Sequence, residues 1–200
     1  MDLSRAAEKF ATTEILYLDP VSDQWYSTGL FGSLQVYDRF ITDRAFGQKK
    51  RILTLPAGSY LPEEYGNFML EGGSVKYILE SLNEDIRYNQ AYAQTYMLHA
   101  ASAEAQILED VTTTLASGAK SITGQNVVET HWIDVERYRG EGSKTFDDVD
   151  YTVASLMLPK IATINTANKI KFVETGVEYT ISEIFDSLDL LIVRGTKVGV

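Results

Sequence analysis

The sequence predicts a mainly β protein built from small β-barrel or β-sandwich lobes with long loops. Two stretches, residues 67–100 and 169–197, each contain short runs of β-branched and aromatic residues separated by glycine-containing breaks. Short runs of this kind, bounded by turn residues, are typical of strands and hairpins. Further strand-like runs lie before and between these stretches, so we expect about ten short strands in all.

The C-terminal stretch, residues 169–197, carries the clearest pattern. Apolar residues alternate with polar ones in two runs, 169–173 and 177–181, on either side of Glu174-Thr175-Gly176. A period of two around a glycine-containing break predicts a hairpin. The next run, residues 188–194, has a continuous apolar core, as expected of a strand that is covered on both faces or lies in an interface. The stretch therefore predicts a β-meander.

A similar order of features occurs upstream, in residues 67–100. A glycine-containing break and a V-x-Y strand lead to Tyr77 in the first copy and to Tyr179 in the second. Each copy follows a Leu-Pro pair, which ends at Pro56 and at Pro159, and each half has one tryptophan upstream of that pair. We hypothesise an internal duplication in which Tyr77 and Tyr179 occupy equivalent strands, and chance similarity is the alternative.

Two domains follow from this interpretation. Residues 1–100 would form an N-terminal arm and the first β lobe, and residues 101–200 the second β lobe. Ser4 is placed to cap a short N-terminal helix, and the alanine-rich residues 99–108 favour a short connecting helix between the lobes. The further predicted strands are residues 14–19, 24–26, 51–55, 127–138 and 151–158, and the predicted polar or loop segments are 56–67, 80–94 and 139–150.

The amino-acid composition limits the classes of function that the chain can have. The chain has 200 residues, 44% of them hydrophobic, which is enough for a buried core. It contains no cysteine, which excludes disulfides, thiolate nucleophiles and cysteine-ligated zinc. The net charge of −10 is spread over both halves. Since binding to a phosphate backbone needs clustered Lys and Arg, we expect DNA to pass such a surface without adhering.

The chemistry-bearing residues predict no enzyme activity, no cofactor and no metal site. No G-x-S-x-G, P-loop or dinucleotide-binding motif is present. Glu129 and Asp134 lie close to His131 in sequence, but we expect their side chains to alternate faces of a strand rather than converge. His131 is therefore predicted to be a cross-strand or surface residue. Glu63-Glu64 and Asp147-Asp148 are predicted to be solvated turn residues.

Two segments are candidate interfaces. Lys49, Lys50 and Arg51 form the only basic cluster and could contact DNA phosphates or an acidic partner. The competing interpretation is an edge strand protected from aggregation by its charge. Residues 139–150 are glycine-containing and acidic, and we expect this loop to be mobile until neighbouring chains order it. Its candidate interface residues are Arg139, Glu141, Asp147 and Asp148.

The pattern of residues 169–194 resembles the closing β-hairpins of tailed-phage head–tail connector proteins, which are the head-completion, head-closure or stopper proteins of the virion neck. In that family a short strand, a Gly-bearing turn, a Tyr-x-Ile strand and an apolar final strand ending in a basic residue close a small barrel. Here these features fall on residues 170–173, Gly176, 179–181 and 190–194. The first half resembles the same pattern more loosely.

The resemblance implies a structural virion protein, made in the host cytoplasm and needing no cofactor. Copies would form a homo-oligomeric ring that contacts portal or adaptor and tail proteins and lets DNA pass without sequence recognition. A tail-tube, tail-completion or baseplate protein is the alternative within the virion, and a carbohydrate-binding or carbohydrate-active β protein is the alternative outside it. With no signal peptide pattern and no apolar run of about eighteen residues, no membrane contact is expected.

Overall fold

A computed structural model describes residues 11–36, 50–62, 64–87, 90–137, 153–187 and 190–199. The described residues form twelve β-strands and include no helix. The prediction of a mainly β fold with β-barrels is therefore confirmed. The first six strands are β1 (Thr13–Asp19), β2 (Gln24–Val36), β3 (Lys50–Pro56), β4 (Asn67–Leu70), β5 (Lys76–Arg87) and β6 (Gln90–Ala100). The second six are β7 (Ala103–Thr114), β8 (Lys120–Arg137), β9 (Val153–Pro159), β10 (Lys169–Phe172), β11 (Glu178–Asp186) and β12 (Leu190–Lys197).

The strands close into two barrels. Strands β1 to β6 form the first, in the order β1-β2-β3-β6-β5-β4, and all six neighbouring pairs run antiparallel. Strands β7 to β12 form the second, in the order β10-β11-β12-β9-β8-β7. The contacts of the chain likewise divide it into two compact units, one built around β1–β6 and the other around β7–β12.

Each barrel has its own hydrophobic core, made by alternate residues of its strands. The fully or nearly fully buried residues of the first core are Ile15, Leu53, Leu55, Leu61, Phe68, Tyr77, Tyr96 and Leu98. Those of the second core are Ala105, Ile107, Ile133, Ala154, Leu156, Leu158, Ala162, Ile170, Tyr179, Ile181, Leu191 and Val193.

The two barrels share one strand order. Renumbering β7–β12 as β1–β6 converts the neighbour order of the second barrel into that of the first. Tyr77 is the second residue of β5, and Tyr179 is the second residue of β11, which holds the same place in its barrel. The prediction that these tyrosines lie in equivalent strands is confirmed. The Leu-Pro pairs also occupy equivalent places, because Pro56 ends β3 and Pro159 ends the corresponding strand β9.

The correspondence extends to the pairing register. Phe68 is paired with Tyr77 in the first barrel, as Ile170 is with Tyr179 in the second. A β-bulge then follows at the same distance beyond each tyrosine, between Leu79 and Ser81 and between Ile181 and Glu183. A bulge bends a strand locally, so its repetition gives the two barrels the same local curvature.

Several element predictions were wrong. Residues 99–108, expected to be a helix, end β6 and begin β7, because paired neighbouring strands override the local helix propensity of alanine. Residues 80–94, expected to be a polar gap, belong largely to the hairpin of β5 and β6. The N-terminal helix predicted after Ser4 lies outside the described residues except for Ala11, which is not helical, and the loop at residues 139–150 lies outside them entirely.

Two residues expected in the second core are only half-buried, namely Trp132 and Ile192. Trp132 lies opposite Glu104, and Ile192 lies opposite the exposed Phe185, so both are on the outward face of the barrel wall. Tyr179, Ile181 and Leu190, expected to be buried with them, are buried.

Candidate assembly surface

The basic cluster is part of the first barrel wall. Lys50 and Arg51 begin β3, which pairs with β2 on one side and with β6 on the other. The interpretation as an edge strand is therefore wrong, because β3 is an interior strand of a closed barrel. Lys50 Nζ forms an ion pair with a carboxylate oxygen of Glu80. Lys49 lies outside the described residues, and an interface role for the cluster stays a prediction.

The other predicted interface residues, Arg139, Glu141, Asp147 and Asp148, all lie outside the described residues. The structure thus leaves the acidic-loop hypothesis as a prediction. The loop would connect β8 to β9, and the corresponding connection of the first barrel, between β2 and β3, also contains residues beyond the described ranges.

His131 is a cross-strand residue opposite Ala105, as predicted, but the expectation that Glu129 points away from it was wrong. His131 is 1% exposed, and its Nε2 lies 2.9 Å from Oε2 of Glu129. Residues two apart in a strand point to the same face, so Glu129 and His131 converge instead of alternating. The same carboxylate oxygen accepts a hydrogen bond of 2.9 Å from the backbone N–H of Thr163. The spacing of two residues between Glu129 and His131 in a predicted strand could have indicated that their side chains meet.

The pKa of Glu129 indicates that Glu129 and His131 form a structural pair. Burial raises the pKa of Glu129, but the hydrogen bonds from His131 and Thr163 outweigh it and bring the pKa below the ordinary glutamate value. Glu129 is therefore ionised at neutral pH and holds His131 in place. Among the described residues, no group of three or more His, Asp or Glu side chains is arranged to bind a metal ion.

Tyrosines cluster at one place in the first barrel. The ring of Tyr17 stacks on that of Tyr65, with centroids 3.8 Å apart, and lies 5.7 Å from the ring of Tyr26 at a tilt of 32°. Sugar recognition uses the open face of an aromatic ring, whereas one face of Tyr17 is covered by Tyr65. Tyr17 and Tyr65 pack against the first core, whereas Tyr26 is exposed.

The largest exposed element is the outer part of the β7–β8 hairpin, residues 109–127, which we call the arm. Its strands continue an antiparallel ladder as far as Thr114 and Lys120, but 17 of its 19 residues are exposed and the other two are half-buried. The stretch from Glu109 to Thr114 extends about 20 Å at the usual rise per residue. The sequence prediction missed the arm, although the run Val111-Thr112-Thr113-Thr114 is rich in β-branched residues.

Hydrogen bonds hold the arm together at its base and along its strands. At its base, Lys169 Nζ lies 2.9 Å from both carboxylate oxygens of Asp110, and Gln125 Nε2 donates to Asp110 at 3.1 Å. These bonds lower the pKa of Asp110 below its ordinary value. Farther out, the hydroxyl of Thr123 donates to the carbonyl of Val111 at 3.2 Å. The arm is therefore an ordered ribbon anchored to the barrel wall.

Four large aliphatic side chains are exposed on the arm. Opposed residues of an antiparallel pair share a face, so Ile122, paired with Thr112, and Val127, paired with Leu108, lie on the face that continues the outside of the barrel. Val111 lies on the opposite face and Leu115 at the tip. The exposed fractions are 59% for Ile122, 51% for Val127, 51% for Leu115 and 37% for Val111.

The long edges of the arm are open. Strand β10, the other neighbour of β7, pairs with it only up to Leu108. Strand β9, the other neighbour of β8, pairs with it only from Asp134 onward. Within the described part of the chain, no third strand therefore pairs with residues 109–127. Open edges of this kind present backbone N–H and C=O groups to a partner.

No helix in the described ranges has the length and apolar character needed to cross a membrane. Comparisons with protein-family models, curated proteins and solved structures gave no match to this chain.

Proposed function

We propose that this protein is a structural component of the tailed-phage virion neck. Copies form a homo-oligomeric ring that joins the head, at its portal or adaptor, to the tail and lets DNA pass. The observation that carries the proposal is the meander β10–β11–β12. It combines a short strand, a turn in which Gly176 has a φ of +68°, the Tyr179-containing strand and an apolar last strand that closes a small barrel.

The same arrangement occurs twice in the chain, which strengthens the argument. The meander β4–β5–β6 holds the corresponding place in the first barrel, with the same pairing of an apolar residue to the tyrosine and the same bulge beyond it. We infer that an internal duplication produced the two barrels. The neck protein would then carry two copies of a barrel of the head-closure kind.

The physical properties of the chain suit a ring around DNA. A closed barrel has no free sheet edge in its wall and is a rigid building block. Identical subunits joined head-to-tail close into a ring when the rotation between them permits. A net charge of −10 keeps DNA from adhering to the channel during passage.

The test is deletion of the gene from the phage that carries it, followed by electron microscopy of lysates. We expect DNA-packaging heads and separate tails that fail to join, and restoration of complete virions when the protein is supplied in trans. Heads that already bear a complete neck but lack a tail would indicate a tail or baseplate component instead. Normal, infectious virions would refute a role in the neck.

A further inference from the structure

Among the described residues, no strand covers or pairs with the arm, residues 109–127. Two-stranded hairpins are marginally stable in water unless a third strand or another surface covers one face. In this arm both faces and both long edges are exposed within the described part of the chain. Within the described residues no surface buries the four exposed aliphatic side chains, so we expect a partner to bury them.

The charge of the arm narrows the choice of partner. The arm contains two acidic residues, Glu109 and Asp110, and one basic residue, Lys120, so its formal charge is only −1 in a chain of −10. Asp110 is moreover paired with Lys169. Two copies of an acidic protein repel each other unless they meet where charge is sparse. The arm is such a place, and it lacks the clustered Lys and Arg that DNA would require.

The size of the arm also fits a contact between proteins. A partner contributes about 20–30 residues to a standard interface, and the arm alone offers 17 exposed residues in one continuous ribbon. Its aliphatic side chains can anchor the contact while its open strand edges add backbone hydrogen bonds, as in recognition by strand addition.

We propose that the arm binds a second copy of this chain and is the surface through which neighbouring subunits of the ring associate. The inference rests on the proposed ring and names the segment that closes it. Ile122 and Val127 on the outer face of the arm would be buried against the neighbouring subunit. Because a head-to-tail contact joins two different surfaces, the arm would engage the neighbour at a site other than its own arm.

The experiment uses the full chain in sedimentation velocity over a wide concentration range. The test variant is Ile122→Asp with Val127→Asp. The matched control is Val173→Asp with Val198→Asp, which adds the same charge at two valines of the same barrel that are each 45% exposed but lie outside the arm. We expect association by the wild type and by the control, and association at least about 30-fold weaker in the arm variant.

Hydrogen exchange provides the second measurement. Amides of residues 109–127 should exchange more slowly as the wild type assembles, while circular dichroism and the thermal midpoint of the arm variant should match the wild type, because the arm lies outside both cores.

Assembly of the arm variant with wild-type affinity, or an assembled wild type whose arm amides remain unprotected, would refute the inference and leave the proposed ring standing. A wild type that stays monomeric at every concentration would refute the ring itself, and the inference with it.

Discussion

Replacement of Ile181 by alanine should destabilise the second barrel strongly. Ile181 is 7% exposed, lies in β11 next to the bulge and packs in the second core. The substitution removes three carbons, each worth about 0.8 kcal/mol when buried, or about 2.4 kcal/mol in transfer free energy. Because a closed barrel wall cannot collapse fully onto the cavity, we expect a total loss of about 2.5–5 kcal/mol.

The assay is urea denaturation followed by circular dichroism, with Ile181→Val and Val173→Ala as comparisons. Ile181→Val should cost about 0.5–1.5 kcal/mol. Val173 is exposed in the turn before β11, so its replacement should change the free energy of unfolding by less than about 0.5 kcal/mol. If the midpoint of Ile181→Ala equals that of the wild type, Ile181 is not a core residue and the register of β11 is wrong.

Three further predictions follow from the described contacts and the acidic loop. Glu129→Gln should lower stability by about 1.5–3 kcal/mol at pH 7. The stabilisation from the lowered pKa of Glu129 is complete above the unfolded pKa and is lost as the pH falls through the folded pKa, so thermal scans should show this difference shrinking below about pH 4. A constant difference would contradict it. Gly32→Ala should cost about 1–3 kcal/mol in chemical denaturation, because its added carbon would lie 2.8 Å from a methyl group of Leu53. Gly124→Ala, which meets no atom within 4 Å, is the control, and equal effects of the two changes would argue against the packing. Deletion of residues 141–147 should leave the thermal midpoint nearly unchanged but reduce virion assembly, and normal assembly by the deletion variant would refute a role for the acidic loop.

The meander in the second half could be predicted because its pattern is local. Alternating apolar residues and a glycine-containing break specify a hairpin without reference to the rest of the chain. The order of the strands in each barrel could not be predicted this way. The pairing of β3 with β6, for example, joins Lys50 to His99 across a long stretch of chain, and no short pattern in the sequence records it.

The helix prediction for residues 99–108 failed because strand pairing overrides the local propensity of alanine. In the structure Ala105 is a buried residue opposite His131 in the wall of the second barrel. The one tryptophan of each half does not occupy an equivalent position in the two barrels. Trp132 lies opposite Glu104 in the second barrel, and the corresponding place opposite Glu14 in the first is taken by Phe31 instead of Trp25.

The candidate surface was harder to predict than the fold. Charge was the feature that indicated both candidate interfaces, the basic cluster around Lys50 and the acidic loop at residues 139–150. In the structure Lys50 forms an ion pair with Glu80. The arm has few charges, and its exposed residues could be recognised only once the end of the β10 pairing at Leu108 was known. Exposure depends on which strands are neighbours, and that information is not local in the sequence.

The most direct test of the proposed neck ring is electron microscopy of the purified, full-length protein. If the protein forms the neck ring, class averages should show closed rings with a single subunit number and an axial opening that admits duplex DNA. Particles the size of one subunit at all concentrations, or assemblies without an axial opening, would contradict the proposed ring.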